Sequence, residues 1–137
     1  MAKLLDPTVG AQALRVVNHT HPEYGTALTS LLQRASASAM LLRGTEGEPV
    51  ADPRRSPKLD VFLRGEWRVD LSAPAQDGVL TELPLLPRSI DAATTAVYIQ
   101  SVVSGEKPAP APLARQVEVL RRAVQALAGV TTHELSA

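Results

Sequence analysis

The sequence predicts an α/β fold with a partial parallel sheet, a βαβ unit, an inserted β-hairpin region and C-terminal helices. Residues 14–17 are a short β-prone run, residues 39–42 are apolar at successive positions, and a helical pattern lies between the two stretches. Runs that are apolar at successive positions are typical of strands covered on both faces, as in a parallel sheet. The chain of 137 residues is long enough for one core, so we expect a single domain over residues 1–137.

The helix of the βαβ unit is predicted to begin at a capping box. Thr20 would be the N-cap, Pro22 would lie in the first turn, and Glu23 would occupy the third helical position. Apolar residues then recur at helical spacing until Arg34. The spacing predicts a buried stripe made of Tyr24, Ala27, Leu28, Leu31 and Leu32.

The middle of the chain is predicted to be antiparallel or irregular β structure. Residues 59–63 and 66–71 flank Arg64-Gly65, a pair suited to a tight hairpin turn. Pro49, Pro53 and Pro57 predict irregular chain before the hairpin. Asp77-Gly78 predicts another turn, followed by a strand over residues 79–83.

Two helices are predicted in the C-terminal part. Asp91 is a suitable N-cap for a helix over residues 92–104, and Gly105 would end it. Pro112 would lie in the first turn of a longer helix. Its apolar seam is predicted to pack on the core rather than on a second copy, and consists of Leu113, Val117, Leu120, Val124 and Leu127. Residues 131–134 form a second capping box, which predicts a new helix there.

Composition excludes several classes of site. Fourteen basic residues balance fourteen acidic ones, so any nucleic-acid binding requires a local patch. The chain has no cysteine, which excludes disulfides and thiolate metal sites and agrees with a cytoplasmic location. No segment approaches the ~18 apolar residues of a membrane span, so we expect no membrane partner. No serine lies in a G-x-S-x-G nucleophile elbow.

The histidines and the acidic residues of one loop are the candidate metal ligands. His19 and His21 are too few for a zinc site, which needs three or four ligands, so they indicate a local hydrogen-bonding role or a surface role. Glu46, Glu48 and Asp52 suit a magnesium ion that bridges phosphates, or are three solvated acids on a surface loop. The second interpretation is favoured.

Cations cluster just after that loop, beside a tryptophan. Two interpretations are open: phosphate contacts with Trp67 as a stacking platform, or local salt bridges that involve Asp60 and Glu66. The cations are Arg54, Arg55, Lys58, Arg64 and Arg68. Three arginines of the last helix, Arg115, Arg121 and Arg122, are predicted to lie on its solvent face.

Four stretches together resemble a known family. They are HPEY at 21–24, LLRGTEGEPVADPRR at 41–55, LPLLP at 83–87 and DAATTAVYIQSVVSGEKPAPAPLARQ at 91–116. In this order and spacing they resemble the C-terminal part of the glycosyltransferase family 3 proteins. The resemblance is greatest to the anthranilate phosphoribosyltransferase-like paralogues that bind nucleic acid instead of serving biosynthesis.

The resemblance implies that the chain corresponds to part of a larger α/β domain and does not carry all the groups that the family enzymes use for catalysis. Family enzymes carry an N-terminal helical domain and a glycine-rich diphosphate loop, and this chain resembles only the portion after both. They also place an adjacent Asp-Glu pair in the loop for the Mg²⁺ that accompanies phosphoribosyl pyrophosphate. The matching place here reads Glu48-Pro49-Val50, so the resemblance implies neither a resident cofactor nor catalysis by this chain alone.

The resulting hypothesis is a module that binds single-stranded nucleic acid. Its phosphate-binding residues would be Arg43, Gly44, Thr45, Gly47, Arg54, Arg55 and Lys58, with no catalytic residue and no metal ligand. Two alternatives remain open. One is a piece of a phosphoribosyltransferase that is active only together with the enzyme's N-terminal half. The other is a shortened remnant that self-associates through an exposed strand edge.

Overall fold

The computed structural model describes residues 12–45, 47–76 and 86–136, with side chains as far as residue 129. Its central element is a four-stranded mixed sheet in the order β1-β2-β3-β4. The strands are β1 (Arg15–His19), β2 (Ala39–Arg43), β3 (Leu59–Leu63) and β4 (Glu66–Trp67). Strands β1 and β2 are parallel, whereas β2–β3 and β3–β4 are antiparallel. The α/β class and the βαβ unit are confirmed.

Three helices accompany the sheet: α1 (Pro22–Arg34), α2 (Ala92–Val103) and α3 (Ala111–Ser136). On one face of the sheet, Leu41 and Phe62 pack with Leu32 of α1. On the other face, Met40 and Val61 pack with α3. Because side chains alternate along a strand, β2 supplies apolar residues to both cores. The two-sided burial predicted for this strand is confirmed. No described helix is long and apolar enough to cross a membrane.

Helix α1 differs from its prediction at its start and along its stripe. The N-cap is His21, not Thr20, and no side chain caps the helix. The reason is that Pro22 already occupies the first helical position, which shifts the boundary by one residue. Tyr24 is exposed and packs edge-on against the His21 ring, and Ala27 is also exposed. The predicted buried stripe was therefore wrong at these two positions.

The hairpin between β3 and β4 is confirmed, with a shorter second strand. Arg64 (φ 52°) and Gly65 (φ 81°) both have positive φ, as a two-residue type I′ turn requires. After Trp67 the chain leaves the ladder and returns at Ala73, which pairs with Leu59. The Ser72 hydroxyl bridges this excursion by accepting from Val61 N–H (2.9 Å). The turn and strand predicted over residues 77–83 lie outside the described residues.

Helix α2 follows its prediction closely. The Asp91 carboxylate accepts from Thr94 N–H (2.8 Å) and from the Thr94 hydroxyl (2.8 Å), so Asp91 is the N-cap. The helix ends at the C-cap Ser104, and Gly105 follows with a φ of 83°. The chain then turns through its prolines into α3.

Helix α3 packs on the sheet with a different face from the predicted seam. Val117 is 64% exposed and Val124 is 51% exposed, whereas Gln116, Val119 and Ala123 are buried. The contact stripe is displaced by about one residue, or ~100° around the helix. Leu127 belongs to both stripes and is buried. The helix also continues through residues 131–134, so the prediction of a new helix there was wrong.

The turn at Gly65 offers a test of how tightly the hairpin sits on the α1–β2 connection. A Cβ on Gly65 would lie 2.7 Å from the Gln33 carbonyl oxygen and 2.8 Å from the Ser36 Cα, both backbone atoms. We expect Gly65→Ala to lower the free energy of unfolding by roughly 3 kcal/mol, because it combines positive φ with a backbone clash. Gly105→Ala is the matched control, since it also has positive φ (83°) but no atom within 4 Å. It should cost only about 1 kcal/mol. Urea unfolding monitored by Trp67 fluorescence measures both, and equal losses would contradict the clash.

The N-cap of α2 should make the stability of the fold depend on pH, because Asp91 caps the helix in its ionised form. The Ser89 hydroxyl, then the Thr94 N–H and hydroxyl, lower the pKa of the Asp91 carboxyl to about 2. A lowered pKa means that the cap stabilises the fold fully above the unfolded value of ~3.9 and loses this effect as pH falls toward 2. NMR titration of the Asp91 carboxyl carbon should give a midpoint near the lower value. In Asp91→Asn, which can still cap, the loss of α2 stability over this pH range should be smaller than in wild type.

Candidate nucleic-acid interface

The candidate loop begins where β2 leaves the parallel pair. Its first cation, Arg43, is the last residue of β2 and lies opposite His19 of β1. Gly44 N–H donates to the His19 carbonyl oxygen (3.1 Å), which holds the start of the loop against the end of β1. Carboxyl ends of parallel strands are the usual place for ligands in α/β proteins.

The loop is folded back on itself rather than open. Thr45 N–H donates to the Val50 carbonyl oxygen (3.3 Å), and Glu48 N–H donates to the Thr45 carbonyl oxygen (2.8 Å). Gly44 is required here because a Cβ would overlap the Glu48 carbonyl oxygen. Gly47 has a φ of 87°, and a Cβ added to it would meet no atom within 4 Å, so its role is conformational. The N–H groups of Gly44, Thr45 and Glu48 are thus engaged within the protein and are not available to a phosphate.

Gln116 of α3 holds the second half of the loop. Its Oε1 accepts from Ala51 N–H (2.9 Å), and its Nε2 donates to the Pro49 carbonyl oxygen (3.0 Å). Both Ala51 and Gln116 are buried. Sequence reasoning missed this residue, because a glutamine between apolar positions of a helix is expected at the surface. Its place four residues after Pro112, on the same face of α3, becomes informative only once the structure shows that Pro112 is buried.

The four cations of the candidate site lie at one end of the sheet. Leu42 pairs with Leu59, so the register places Arg43 and Lys58 at the same end of the β2–β3 pair. Arg54 and Arg55 lie between them on an exposed turn, which is closed by the Arg55 N–H bond to the Asp52 carbonyl oxygen (3.1 Å). The structure therefore places Arg43 and Lys58 at the same end of the sheet, with Arg54 and Arg55 on the loop that joins their strands.

These cations differ in whether they are already paired. Arg54 Nε lies 3.6 Å from Asp52 Oδ1, and Lys58 Nζ lies 3.1 Å from Asp60 Oδ2. Arg43 and Arg55 are exposed and make no ion pair with any carboxylate in the described part of the chain. A phosphate can approach these two arginines without breaking an existing pair.

Two cations of the hairpin region, Lys58 and Arg68, form local salt bridges, as the second interpretation predicts. Arg68 makes a two-point contact with Asp70, at 2.9 Å and 2.8 Å. This contact raises the pKa of Arg68 and lowers that of Asp70. Trp67 donates its indole N–H to Asp60 (3.2 Å) and is half exposed on the short edge strand β4. One face of a possible stacking platform is therefore available, but Lys58 and Arg68 beside it are paired.

The candidate metal ligands are dispersed or already engaged. His19 donates its Nδ1–H to the His21 carbonyl oxygen (3.0 Å), which is the predicted local hydrogen bond. Asp52 accepts from Arg54 N–H (2.8 Å), and Glu48 is exposed. Glu46 lies outside the described residues. Within residues 12–45, 47–76 and 86–129, no three histidine or acidic side chains converge on a common point.

Two of the three α3 arginines are not purely solvent-facing. Arg115 donates to the Pro74 carbonyl oxygen (2.5 Å), and Arg122 donates to that of Asp70 (3.4 Å). Both tie the chain that follows the hairpin to α3, so the prediction was wrong for Arg115, which is half-buried. Arg121 is exposed and pairs with Glu118 (2.7 Å), which lowers the pKa of Glu118.

The hydrogen bonds of Gln116 can be tested directly. Gln116→Leu removes both bonds and leaves Ala51 N–H buried without a partner, so we expect a loss of about 2–3 kcal/mol in the free energy of unfolding. Gln125→Leu makes the same change at an exposed position of the same helix and should stay within about 0.5 kcal/mol. Urea unfolding measures both variants. Hydrogen exchange of the Ala51 amide should speed up only in Gln116→Leu, and unchanged protection would contradict the bond.

Comparison with curated proteins gives a relative that this chain matches over part of its length. No family model matches the chain. The Escherichia coli (strain K12) protein named "Uncharacterized protein YbiB" is 35% identical over 117 residues. The matched residues make up 85% of this chain and 35% of that protein, so the chain spans about a third of the relative's length.

Proposed function

We propose that this chain binds single-stranded nucleic acid through the surface formed by Arg43, Arg54, Arg55 and Lys58, with little sequence preference. The single observation that supports the proposal most is the pair Arg43 and Arg55. Both are exposed, Arg43 at the carboxyl end of β2 and Arg55 on the loop that follows, and neither is paired with a carboxylate in the described residues. A cation that is free of carboxylates can contact a phosphate and release its counterion at low cost.

The chemistry of this surface suits a phosphate backbone better than base recognition. Its contacts would be point charges on flexible side chains, which position a strand but carry no sequence information. Trp67 adds one exposed aromatic face on the neighbouring hairpin. Because the chain has no net charge, binding depends on this local surface and should weaken steeply with salt.

We further propose that the chain is related to the C-terminal α/β part of glycosyltransferase family 3 proteins and acts in the cytoplasm without catalysis of its own. The loop supports the absence of phosphoribosyl transfer. Pro49 stands where the resemblance implies a second carboxylate, and Asp52 is engaged by Arg54. Of the alternatives, self-association rests on β1, which has a strand neighbour on one side only in the described sheet.

The proposal is tested by titrating a fluorescent single-stranded oligonucleotide across a salt series. Arg43→Gln/Arg55→Gln removes two of the proposed phosphate contacts, so the slope of log K against log salt should become shallower by about 1.4, from ~0.7 per contact. Arg34→Gln/Arg121→Gln is the matched control, because it makes the same change in net charge at exposed positions on α1 and α3. It should leave the slope nearly unchanged.

Comparison of the two double variants distinguishes binding by this local surface from a general effect of net charge. Equal loss in both double variants would show that only net charge matters, and an unchanged slope in Arg43→Gln/Arg55→Gln would remove the surface from the proposal. Homopolymeric and mixed oligonucleotides should bind with similar affinity. Sedimentation velocity on the same samples reports self-association.

A further inference from the structure

We propose that the chain has a second ligand site, beside α2, for a small molecule with an aliphatic body and one anionic group. The site consists of two adjoining cavities that share Leu86 and Tyr98. One cavity is apolar, and the other carries two cations. It differs from the proposed nucleic-acid surface in both lining and chemistry.

The apolar cavity has a volume of about 350 Å³ and lies between the candidate loop, α2 and the start of α3. Val50 and Pro53 come from the loop, Val102 comes from α2, and Leu113 comes from α3. The lining side chains are aliphatic apart from Tyr98, whose hydroxyl is their only polar side-chain atom. Such a lining cannot match the several polar edges of a nucleobase, so it favours an aliphatic group.

The second cavity supplies positive charge at the other end. It has a volume of about 580 Å³, and Arg88 and Lys107 line it. Neither cation makes an ion pair with a carboxylate within the described residues. An anionic group placed here would meet two cations while the rest of the ligand stays in the apolar cavity.

Tyr98 lies where the two cavities meet. Its hydroxyl is buried and has no hydrogen-bond partner among the described residues. Buried polar groups in folded proteins are nearly always hydrogen-bonded, so an isolated one calls for an explanation. A small rotation of the Tyr98 side chain would bring this hydroxyl to the cavity surface, where an oxygen of the ligand's anionic group would accept from it. This one contact would place the charge toward Arg88 and Lys107 and the aliphatic body toward Val102.

Octanoate is the probe, titrated below its micellar range and followed by ¹H–¹⁵N NMR. We expect saturable binding, with amide shifts centred on residues 98–103 and on Val50. Octyl phosphate should also bind, and comparison of the two distinguishes a carboxylate from a phosphate ligand. Octanol, which keeps the body without the charge, should bind about tenfold more weakly, and acetate should not saturate.

Variants assign the effect to each part of the site. Arg88→Gln/Lys107→Gln should weaken octanoate about tenfold and leave octanol unchanged, and Tyr98→Phe should weaken octanoate several-fold with the fold intact. Arg34→Gln/Arg121→Gln and Arg43→Gln/Arg55→Gln are controls for net charge and for the nucleic-acid surface, and neither should alter octanoate binding.

Three results would overturn this site: octanol binding as tightly as octanoate, shifts that never saturate, or the same affinity in wild type and Arg88→Gln/Lys107→Gln.

Discussion

The structure depends on one constraint, the burial of β2 on both faces. Ala39, Met40, Leu41 and Leu42 are all nearly inaccessible to solvent. Such a strand needs a strand neighbour on each side and a covering layer on each face, because successive side chains point to opposite faces of the sheet and so enter different cores. Strands β1 and β3 supply the neighbours, while α1 and α3 supply the layers. The position of the candidate loop follows from this burial, because the loop begins at Arg43, the exposed carboxyl end of β2.

Much of this arrangement could be predicted from the sequence because local signals and tertiary packing agree. The apolar run of β2, the Arg64-Gly65 turn and the Asp91 cap each rest on chemistry within a few residues. Each is confirmed, since no distant contact competes with the local preference. The α/β class follows from these elements alone.

The failures on α3 have a different cause, which is that the deciding partner is distant in sequence. Two stripes one residue apart on α3 both have helical spacing, and only the shape of the sheet decides that Gln116, Val119 and Ala123 face inward. Gln116 is buried because it satisfies backbone groups of a loop 65 and 67 residues away. The candidate site shows the same limit. The sequence placed the cations in one segment, but whether each is paired depends on the fold.

The sheet and α3 are far apart in sequence, and this distance has a consequence during synthesis of the chain. The face formed by Met40, Val61 and Leu63 is complete well before Val119 and Leu127 leave the ribosome. Roughly sixty residues separate the two, which at ~5–20 residues per second corresponds to several seconds of exposure for an apolar β surface. During this interval the uncovered β surface can associate with other unfolded chains.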